Sequence, residues 1–337
     1  MSKQIHLVVE QLNNIALLLK SSPFPNRFEP NIIKSTIDNS INNLANAYFA
    51  IVAICHQTSP IGERPLEGFI SNNPRKGWDY LKEKFLIAST CDSKWLDPRF
   101  WQCLNPITLA NLYKDDEKGL TLSRISERTF LLNNLGDLLI TDGYIAIEDA
   151  FIALSNTLGG SDGFISYLSR FEAYSDPLFK KTFLFLSLAN TECGWQYIDP
   201  ENIHSPIDYH ELRGHLRLGT IDIAETCIQI KLKRGLSISS EEDFYIRQAV
   251  QEANEYISRI VGVSNSELHY FLWNVFRSCC SRQAEQSHCL ECSPICSLPE
   301  SYRIVPYYHS RCIFSELCPS VHNTYKIVEP AYLGHYY

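Results

Sequence analysis

The sequence has no apolar run long enough to cross a bilayer, for which a helix needs about 20 predominantly apolar residues. Its beginning, MSKQIHLVVEQLNNIALLLK, spaces polar and apolar residues as a helix does. It lacks the continuous apolar core and the small-residue cleavage site of a signal peptide. These two absences predict a cytoplasmic protein that does not enter membranes.

A basic charge balance is also missing. The net charge is −8 at pH 7, and the isoelectric point is about 5.7. Domains that contact long stretches of nucleic-acid backbone usually have the opposite balance. The composition therefore argues against extensive sequence-independent contact with DNA, although a local basic patch on an acidic protein is compatible with it.

Strand-like alternation, internal repeats and Pro/Ser-rich linkers are hard to find, whereas apolar residues recur three and four positions apart along most of the chain. In NPITLANLY, for example, Asn105 is expected to cap a helix and Pro106 to occupy its first turn. The pattern predicts an all-α fold with two helical lobes around a central cleft. The expected domains are a helical unit over residues 1–278, in which the lobes interleave, and a cysteine-rich segment over residues 279–337.

The stretch SPIDYHELRGHLRLGTI places Asp208 directly before an amphipathic helix. An aspartate in this position caps the helix by accepting hydrogen bonds from its first free N–H groups. Beside a cleft, the same carboxylate can also stabilise a developing cation or activate a water molecule. Capping alone would explain Asp208, so both roles are open at this point.

Two further segments carry polar groups that a cleft could use. In SDPLFKKTFLFLSLAN the apolar spacing directs one of Lys180 and Lys181 towards the buried face, where a lysine can lose enough charge to act as a nucleophile. In AIVAICHQTSP, His56 and Gln57 follow a long apolar helix, and a glutamine can fill the gap left by an extruded base. Solvated lysines and an ordinary polar turn are the alternatives.

The order of these segments resembles that of the helix-hairpin-helix DNA glycosylase superfamily. ICHQTS is similar to the family's leucine-serine-x-glutamine-x-threonine segment, and ISERTFLLNNLGDLL to the helix before its hairpin. FISYLSRFEAYSDPLFKKTFLFLSLA stands in the place of the hairpin, and PIDYHELRGHLRLGTI in that of the segment with the catalytic aspartate. The glycine-rich hairpin run itself is missing. The sequence in the place of the hairpin is more similar to that of archaeal-type 8-oxoguanine glycosylases and of the related queuosine-nucleotide hydrolases.

The resemblance implies roles for individual residues. Asp208 would be the catalytic carboxylate, and Lys180 or Lys181 would replace the lysine of members that also cleave the strand. Gln57 would lie near the base gap. The other expected substrate contacts are His56, His210, Arg213 and Arg217, of which Arg213 and Arg217 can reach phosphate or brace the cleft.

The twelve cysteines are unevenly distributed, with seven of them between Cys279 and Cys318. In a reducing compartment such density is more typical of a metal site than of disulfides. Two short-spaced pairs can close a four-thiolate site for zinc or for a 4Fe-4S cluster, and they are Cys289, Cys292, Cys312 and Cys318. Cys279, Cys280 and Cys296 are the alternative ligands. Endonuclease III-like members of the superfamily carry an iron–sulfur loop at this place, which favours the cluster and predicts a metal-stapled C-terminal loop.

The resulting hypothesis is a monomeric N-glycosidase of DNA repair that flips a modified base out of DNA and removes it. Asp208 would stabilise the oxocarbenium-like state, and attack by the amine of Lys181 or Lys180 would add a lyase activity. One rival is a hydrolase of a free modified nucleotide, which the acidic isoelectric point favours. The other is a non-catalytic nucleic-acid or protein-binding module held together by metal.

Overall fold

The computed structural model describes residues 5–21, 41–282, 312–321, 329–332 and 334–336. The helices are α1 (Val9–Lys20), α2 (Ile41–Ala53), α3 (Gly77–Cys91), α4 (Pro98–Gln102), α5 (Pro106–Tyr113), α6 (Ile125–Thr141), α7 (Ile147–Ala153), α8 (Phe164–Leu168), α9 (Lys180–Cys193), α10 (Tyr209–Leu218), α11 (Thr226–Arg234), α12 (Ser240–Val261) and α13 (Asn265–Cys279). The strands are β1 (Ile5–Leu7), β2 (Glu67–Ile70), β3 (Asn73–Lys76), β4 (Lys114–Asp115), β5 (Gly119–Leu120) and β6 (Ile221–Ile223).

The expected helical class is confirmed in its coarse form, since the protein is mostly helical. Three two-stranded antiparallel sheets, β1 with β6, β2 with β3 and β4 with β5, add strands that the sequence pattern did not reveal. Within the ranges described above, no helix is both long and apolar enough to span a membrane.

The chain divides into two compact units. The first unit combines residues 1–29 with residues 203–332, and the second combines residues 30–202 with residues 333–337. This division follows the contacts within the structure, and it assigns α1 and β1 to the same unit as α10 to α13. The domain boundary at residue 279, which was based on cysteine density, is a different kind of division and stays a prediction.

In the first unit, the beginning of the chain packs against its later helices. Strand β1 pairs with β6, with Ile5 opposite Ile223, and α1 packs against the long helix α12. Helix α12 begins with a capping box in which Ser239 and Glu242 satisfy each other's backbone N–H groups. Helix α10 lies close to α13, because a side-chain carbon at Gly214 would approach the ring of Phe276 to 2.4 Å.

In the second unit, α2 is the central element. Every residue of α2 from Leu44 to Ala53 is buried, and the helix packs against α9. Helices α4 and α6 approach closely at Gly136, where a side-chain carbon would come within 2.4 Å of the Pro98 carbonyl oxygen. The second unit thus has an apolar helix at its centre, whose carboxyl end must be satisfied inside the protein.

Most of the helices follow the expected pattern, and the differences are local. Asn105 caps α5 by accepting from the N–H of Thr108 at 2.9 Å, with Pro106 in the first turn, as predicted. Residues 5–7 form β1 instead of the first turn of a helix, because they pair with β6. Residues 31–40, expected to start the second helix, lie outside the described residues.

Candidate functional site

Asp208 caps α10, which confirms the capping role expected from the sequence. Its backbone is extended, and its Oδ1 accepts from the N–H groups of His210 at 2.8 Å and Glu211 at 3.2 Å. The helix ends at Gly219, which adopts the left-handed conformation with φ of 68°. The carboxylate therefore sits at the positive end of a helix of ten residues.

The second carboxylate oxygen has a partner on another helix. Oδ2 of Asp208 accepts from the indole Nε1 of Trp273 in α13 at 2.8 Å. Both oxygens of the carboxylate therefore accept N–H donors. Asp208 is nevertheless half-buried rather than enclosed, so its environment combines fixed donors with access to solvent.

Trp273, which contacts this carboxylate, belongs to a series of contacts among half-buried aromatic rings and guanidinium groups. Tyr270 stacks on Trp273 with ring centroids 6.3 Å apart, and the edge of His210 faces the indole at 6.1 Å. The guanidinium of Arg277 lies 4.8 Å from the Trp273 ring centroid. The remaining members are Tyr209, whose ring lies 4.3 Å from that of His210, and Arg282, which lies 5.7 Å from the Tyr209 ring. We call these residues the Asp208 surround.

Of the Asp208 surround, only His210 was expected from the sequence. A signal existed in the spacing of Tyr270, Trp273 and Arg277, since positions three and four apart share one helix face. What could not be read from the sequence is that this face of α13 meets the beginning of α10.

Behind Asp208 lies a buried polar network. The carboxylate of Glu211 is completely buried, and its two oxygens lie 2.7 Å from His269 Nδ1 and 2.8 Å from Asn254 Nδ2. These contacts join α10 to α13 and to α12. Because a buried carboxylate without partners would cost several kcal/mol, the network fixes how the three helices pack.

Arg213 and Arg217 point into the protein. Arg213 is 2% exposed and donates to Glu329 Oε2 at 2.7 Å and to the Cys280 carbonyl oxygen at 2.6 Å. Arg217, also 2% exposed, donates to the Ser281 carbonyl oxygen at 2.6 Å and to Cys280 Sγ at 3.2 Å. These contacts correspond to bracing, one of the two roles that the sequence left open, whereas contact with substrate stays a prediction.

Four cysteines of the C-terminal region lie around one small cavity in the first unit. The cavity has a volume of about 20 Å³, and its lining includes Phe276, Arg217, Cys279, Cys280, Cys312 and Cys318. The other two predicted ligands, Cys289 and Cys292, lie outside the described residues. Among the residues that are described, no three potential ligands are arranged to hold a metal ion, so the predicted four-thiolate site stays a prediction.

The two lysines belong to the second unit. Lys181 is completely buried, and its amine donates to the carbonyl oxygen of Ala53 at 2.5 Å and lies 3.4 Å from His56 Nδ1. Burial lowers the pKa of the Lys181 amine to about 7. The amine of Lys180 lies 3.7 Å from the thiol of Cys55. Of the pair, Lys181 is therefore the one in an environment that favours a neutral amine at neutral pH.

Two buried cations, Arg128 and Lys181, donate hydrogen bonds to carbonyl groups at the carboxyl end of α2. Arg128, which is completely buried, donates to the carbonyl oxygens of Ile54 and His56, and Lys181 donates to that of Ala53. Burial and the nearby Arg128 hold the pKa of His56 well below its usual value. Gln57, which follows, has a left-handed backbone with φ of 48°. The end of this helix thus obtains its missing hydrogen bonds from buried cations.

No protein-family model matches the chain, and no curated protein resembles it closely enough to count as a relative.

His215 predicts how stability depends on pH. Its ring is completely buried, Nδ1 lies 2.8 Å from Thr220 Oγ1, and burial lowers its pKa from 6.5 to about 4. Between pH 6.5 and about pH 4 the unfolded chain binds a proton at this histidine and the folded protein does not. The free energy of unfolding therefore falls as the pH decreases through this range. The expected loss from His215 is about 2 kcal/mol between pH 7 and pH 5.

Urea unfolding at the two pH values measures this effect. His215→Gln should reduce the loss of stability on acidification, and the part that remains is expected from His56, whose pKa is also lowered. His6→Gln, at an exposed histidine of the same unit, should lose as much as the unchanged protein. An equal loss in His215→Gln and in the unchanged protein would contradict the assignment.

Proposed function

We propose that the protein is an N-glycosidase that removes a modified base from DNA, with Asp208 as the catalytic carboxylate. The single observation that carries this proposal is the setting of Asp208. Its carboxylate is held by helix N–H groups and by Trp273, remains half-buried, and is connected through Trp273 to the ring of Tyr270 and the guanidinium of Arg277.

The Asp208 surround matches what such a substrate requires. A base extruded from the stack is held by stacking on aromatic side chains, which Trp273 and Tyr270 offer. Guanidinium groups recognise phosphate, and Arg277 lies over the Trp273 ring, whereas Arg282 beside Tyr209 also donates to Glu329 Oε1. The combination of a carboxylate, aromatic rings and guanidinium groups therefore suits a nucleoside that carries phosphate.

The proposed reaction breaks the bond between the base nitrogen and the anomeric carbon of the sugar. The bonding electrons leave with the base, which takes up a proton, and positive charge develops on the sugar ring. The ionised carboxylate of Asp208 stabilises this charge, because a fixed negative group is most effective in a partly dry site. A water molecule then adds to the anomeric carbon and loses a proton.

The rival substrate, a free modified nucleotide, has support in the charge of the protein. A mononucleotide needs few phosphate contacts, whereas a duplex needs many, and the net charge is −8. Asp208 would have the same role on either substrate. A non-catalytic binding module would instead bind such molecules without releasing a base.

Asp208→Asn tests the central role. The amide keeps the shape and can still cap α10, but it removes the charge, so base release should fall at least ~100-fold with little change in stability. The assay is chromatography of free base after incubation with oligonucleotides carrying 8-oxoguanine or a 7-deazaguanine, and with the corresponding mononucleotides.

Asp97→Asn is the matched control. Asp97 caps α4 by accepting from the N–H of Arg99 at 2.9 Å, so the same chemical change is made at a second helix cap. Base release by this variant should equal that of the unchanged protein. Full activity in Asp208→Asn would refute the catalytic role, and binding without release by the unchanged protein would favour the non-catalytic module.

A lyase step through Lys181 is the second proposed activity. The observation that favours it is the pKa of about 7, since an uncharged amine can attack the anomeric carbon and form a Schiff base with the opened sugar. The complete burial of Lys181 and its hydrogen bond to Ala53 also give it a structural role at the end of α2. Attack on the anomeric carbon would therefore require the Lys181 amine to break its hydrogen bond to the Ala53 carbonyl oxygen.

Borohydride trapping distinguishes the two mechanisms. Reduction of the Schiff base should link the unchanged protein covalently to the 8-oxoguanine oligonucleotide, and Lys181→Gln should lose this link. Lys180→Gln is the control and should still be trapped. Base release without trapping would leave water as the nucleophile, and trapping of Lys181→Gln would exclude Lys181.

We also propose a resident metal group, a 4Fe-4S cluster or zinc, in the cysteine-rich region. The thiol donors suit either, and Cys312 and Cys318 line one cavity together with Cys280. Cys289, Cys292, Cys312 and Cys318 would supply its four ligands. The group would order this region structurally, and the proposed reaction does not depend on it.

Metal content and stability should change together. Cys318→Ser should lower the iron or zinc content of anaerobically purified protein and destabilise the first unit, because structural metal binding contributes directly to the free energy of folding. Cys103→Ser, at an exposed cysteine of the second unit, should leave both unchanged. The metal proposal fails if elemental analysis of the unchanged protein finds less than roughly a tenth of an equivalent of iron and of zinc.

A further inference from the structure

Helix α13 holds two acidic side chains of α10 with two donors of its own. Trp273 Nε1 lies 2.8 Å from Asp208 Oδ2, and His269 Nδ1 lies 2.7 Å from Glu211 Oε2. The two groups on α13 are four positions apart and the two carboxylates are three apart, so each pair lies along facing sides of the helices. The contact with Asp208 is thus part of a defined packing register between α10 and α13.

The packing leaves little freedom for this register to slip. Gly214 brings the backbone of α10 against the ring of Phe276 in α13, where a side-chain carbon would have only 2.4 Å. Glu211 is fully buried, so breaking its contact with His269 would leave an incompletely paired carboxylate in the interior. These constraints fix the distance between Trp273 and the first residues of α10.

Within the carboxylate of Asp208, the two oxygens have different partners. Oδ1 accepts the backbone N–H groups that any capping aspartate would accept. Oδ2 accepts the indole N–H, which capping does not require. The guanidinium of Arg277 lies 4.8 Å from the indole centroid, and a cation over the ring face draws electron density from the ring and strengthens its N–H as a donor.

We propose that Trp273 is a positioning residue that sets the rotation of the Asp208 carboxylate through its indole N–H. Its effect on catalysis rests on the proposed glycosidase function, whereas the coupling between the two side chains does not. This role of the half-buried Trp273 goes beyond packing and beyond stacking with a base. Losing the N–H while keeping the ring should therefore slow the reaction and leave binding almost unchanged.

The first arm of the test is spectroscopic and needs no substrate. The chain has five tryptophans, so ¹⁵N labelling of the indoles gives five N–H resonances, and the one that Trp273→Phe removes belongs to Trp273. A hydrogen bond to a charged acceptor is shorter and stronger than one to a neutral acceptor. In Asp208→Asn the Trp273 proton should therefore move upfield, while the other four indole resonances stay in place as internal controls.

The second arm is kinetic and uses a duplex oligonucleotide with one 8-oxoguanine. Trp273 is replaced by benzothienylalanine, which has a sulfur atom where the indole has its N–H and keeps the ring system. We expect kcat to fall about tenfold with KM within about twofold, because a hydrogen bond to a charged group is lost without loss of stacking area. Trp273→Phe should show the same fall in kcat and, since the ring is smaller, a higher KM.

The outcomes separate the two proposals. A Trp273 resonance that is unchanged in Asp208→Asn overturns the positioning role, and so does an unchanged kcat for the benzothienylalanine protein. If the unchanged protein releases no base from the oligonucleotide, the glycosidase proposal fails for that substrate. The spectroscopic arm then still decides whether Trp273 and Asp208 are coupled.

Discussion

The hydrogen-bonded junction between the beginning of α10 and one face of α13 is the constraint on which the candidate site depends. A capping aspartate needs only backbone N–H groups, yet Asp208 also receives an indole N–H at 2.8 Å. The buried contact between Glu211 and His269 and the close approach at Gly214 keep α13 in the position that makes this possible. Because the packing of the two helices fixes these donors, the carboxylate is held in one orientation, as the proposed glycosidase reaction would require.

In the second unit, the main electrostatic requirement lies at the carboxyl end of α2. Helix α2 is buried almost entirely, so its last carbonyl groups cannot be satisfied by water. Arg128 and Lys181 supply the missing donors from the interior, at the negative end of the helix dipole. The same burial that makes this capping effective lowers the pKa of Lys181 to about 7. A structural requirement of the fold therefore produces the kind of amine that covalent catalysis uses.

The sequence predicted what local rules determine. Helical periodicity, the caps at Asn105 and Asp208 and a mostly helical class were confirmed, because each depends on neighbours within a few residues. Pairing between distant segments was not predictable: β1 joins β6 across more than two hundred residues, and the same limitation hid Trp273 from the candidate site. For Arg213 the sequence left open whether it contacts phosphate or braces the cleft, and it could not reveal that Arg213 donates to the buried carboxylate of Glu329 near the other end of the chain.

The central claim is that the bond between base and sugar is broken with Asp208 opposite the developing charge. The most direct measurement is the reaction in ¹⁸O-labelled water, followed by mass spectrometry of both products from a nucleotide or oligonucleotide with a modified base. Hydrolysis at the anomeric carbon predicts one ¹⁸O in the sugar product and none in the released base, with both products reduced at least ~100-fold for Asp208→Asn. Label in the base, or turnover that survives Asp208→Asn, would contradict this account.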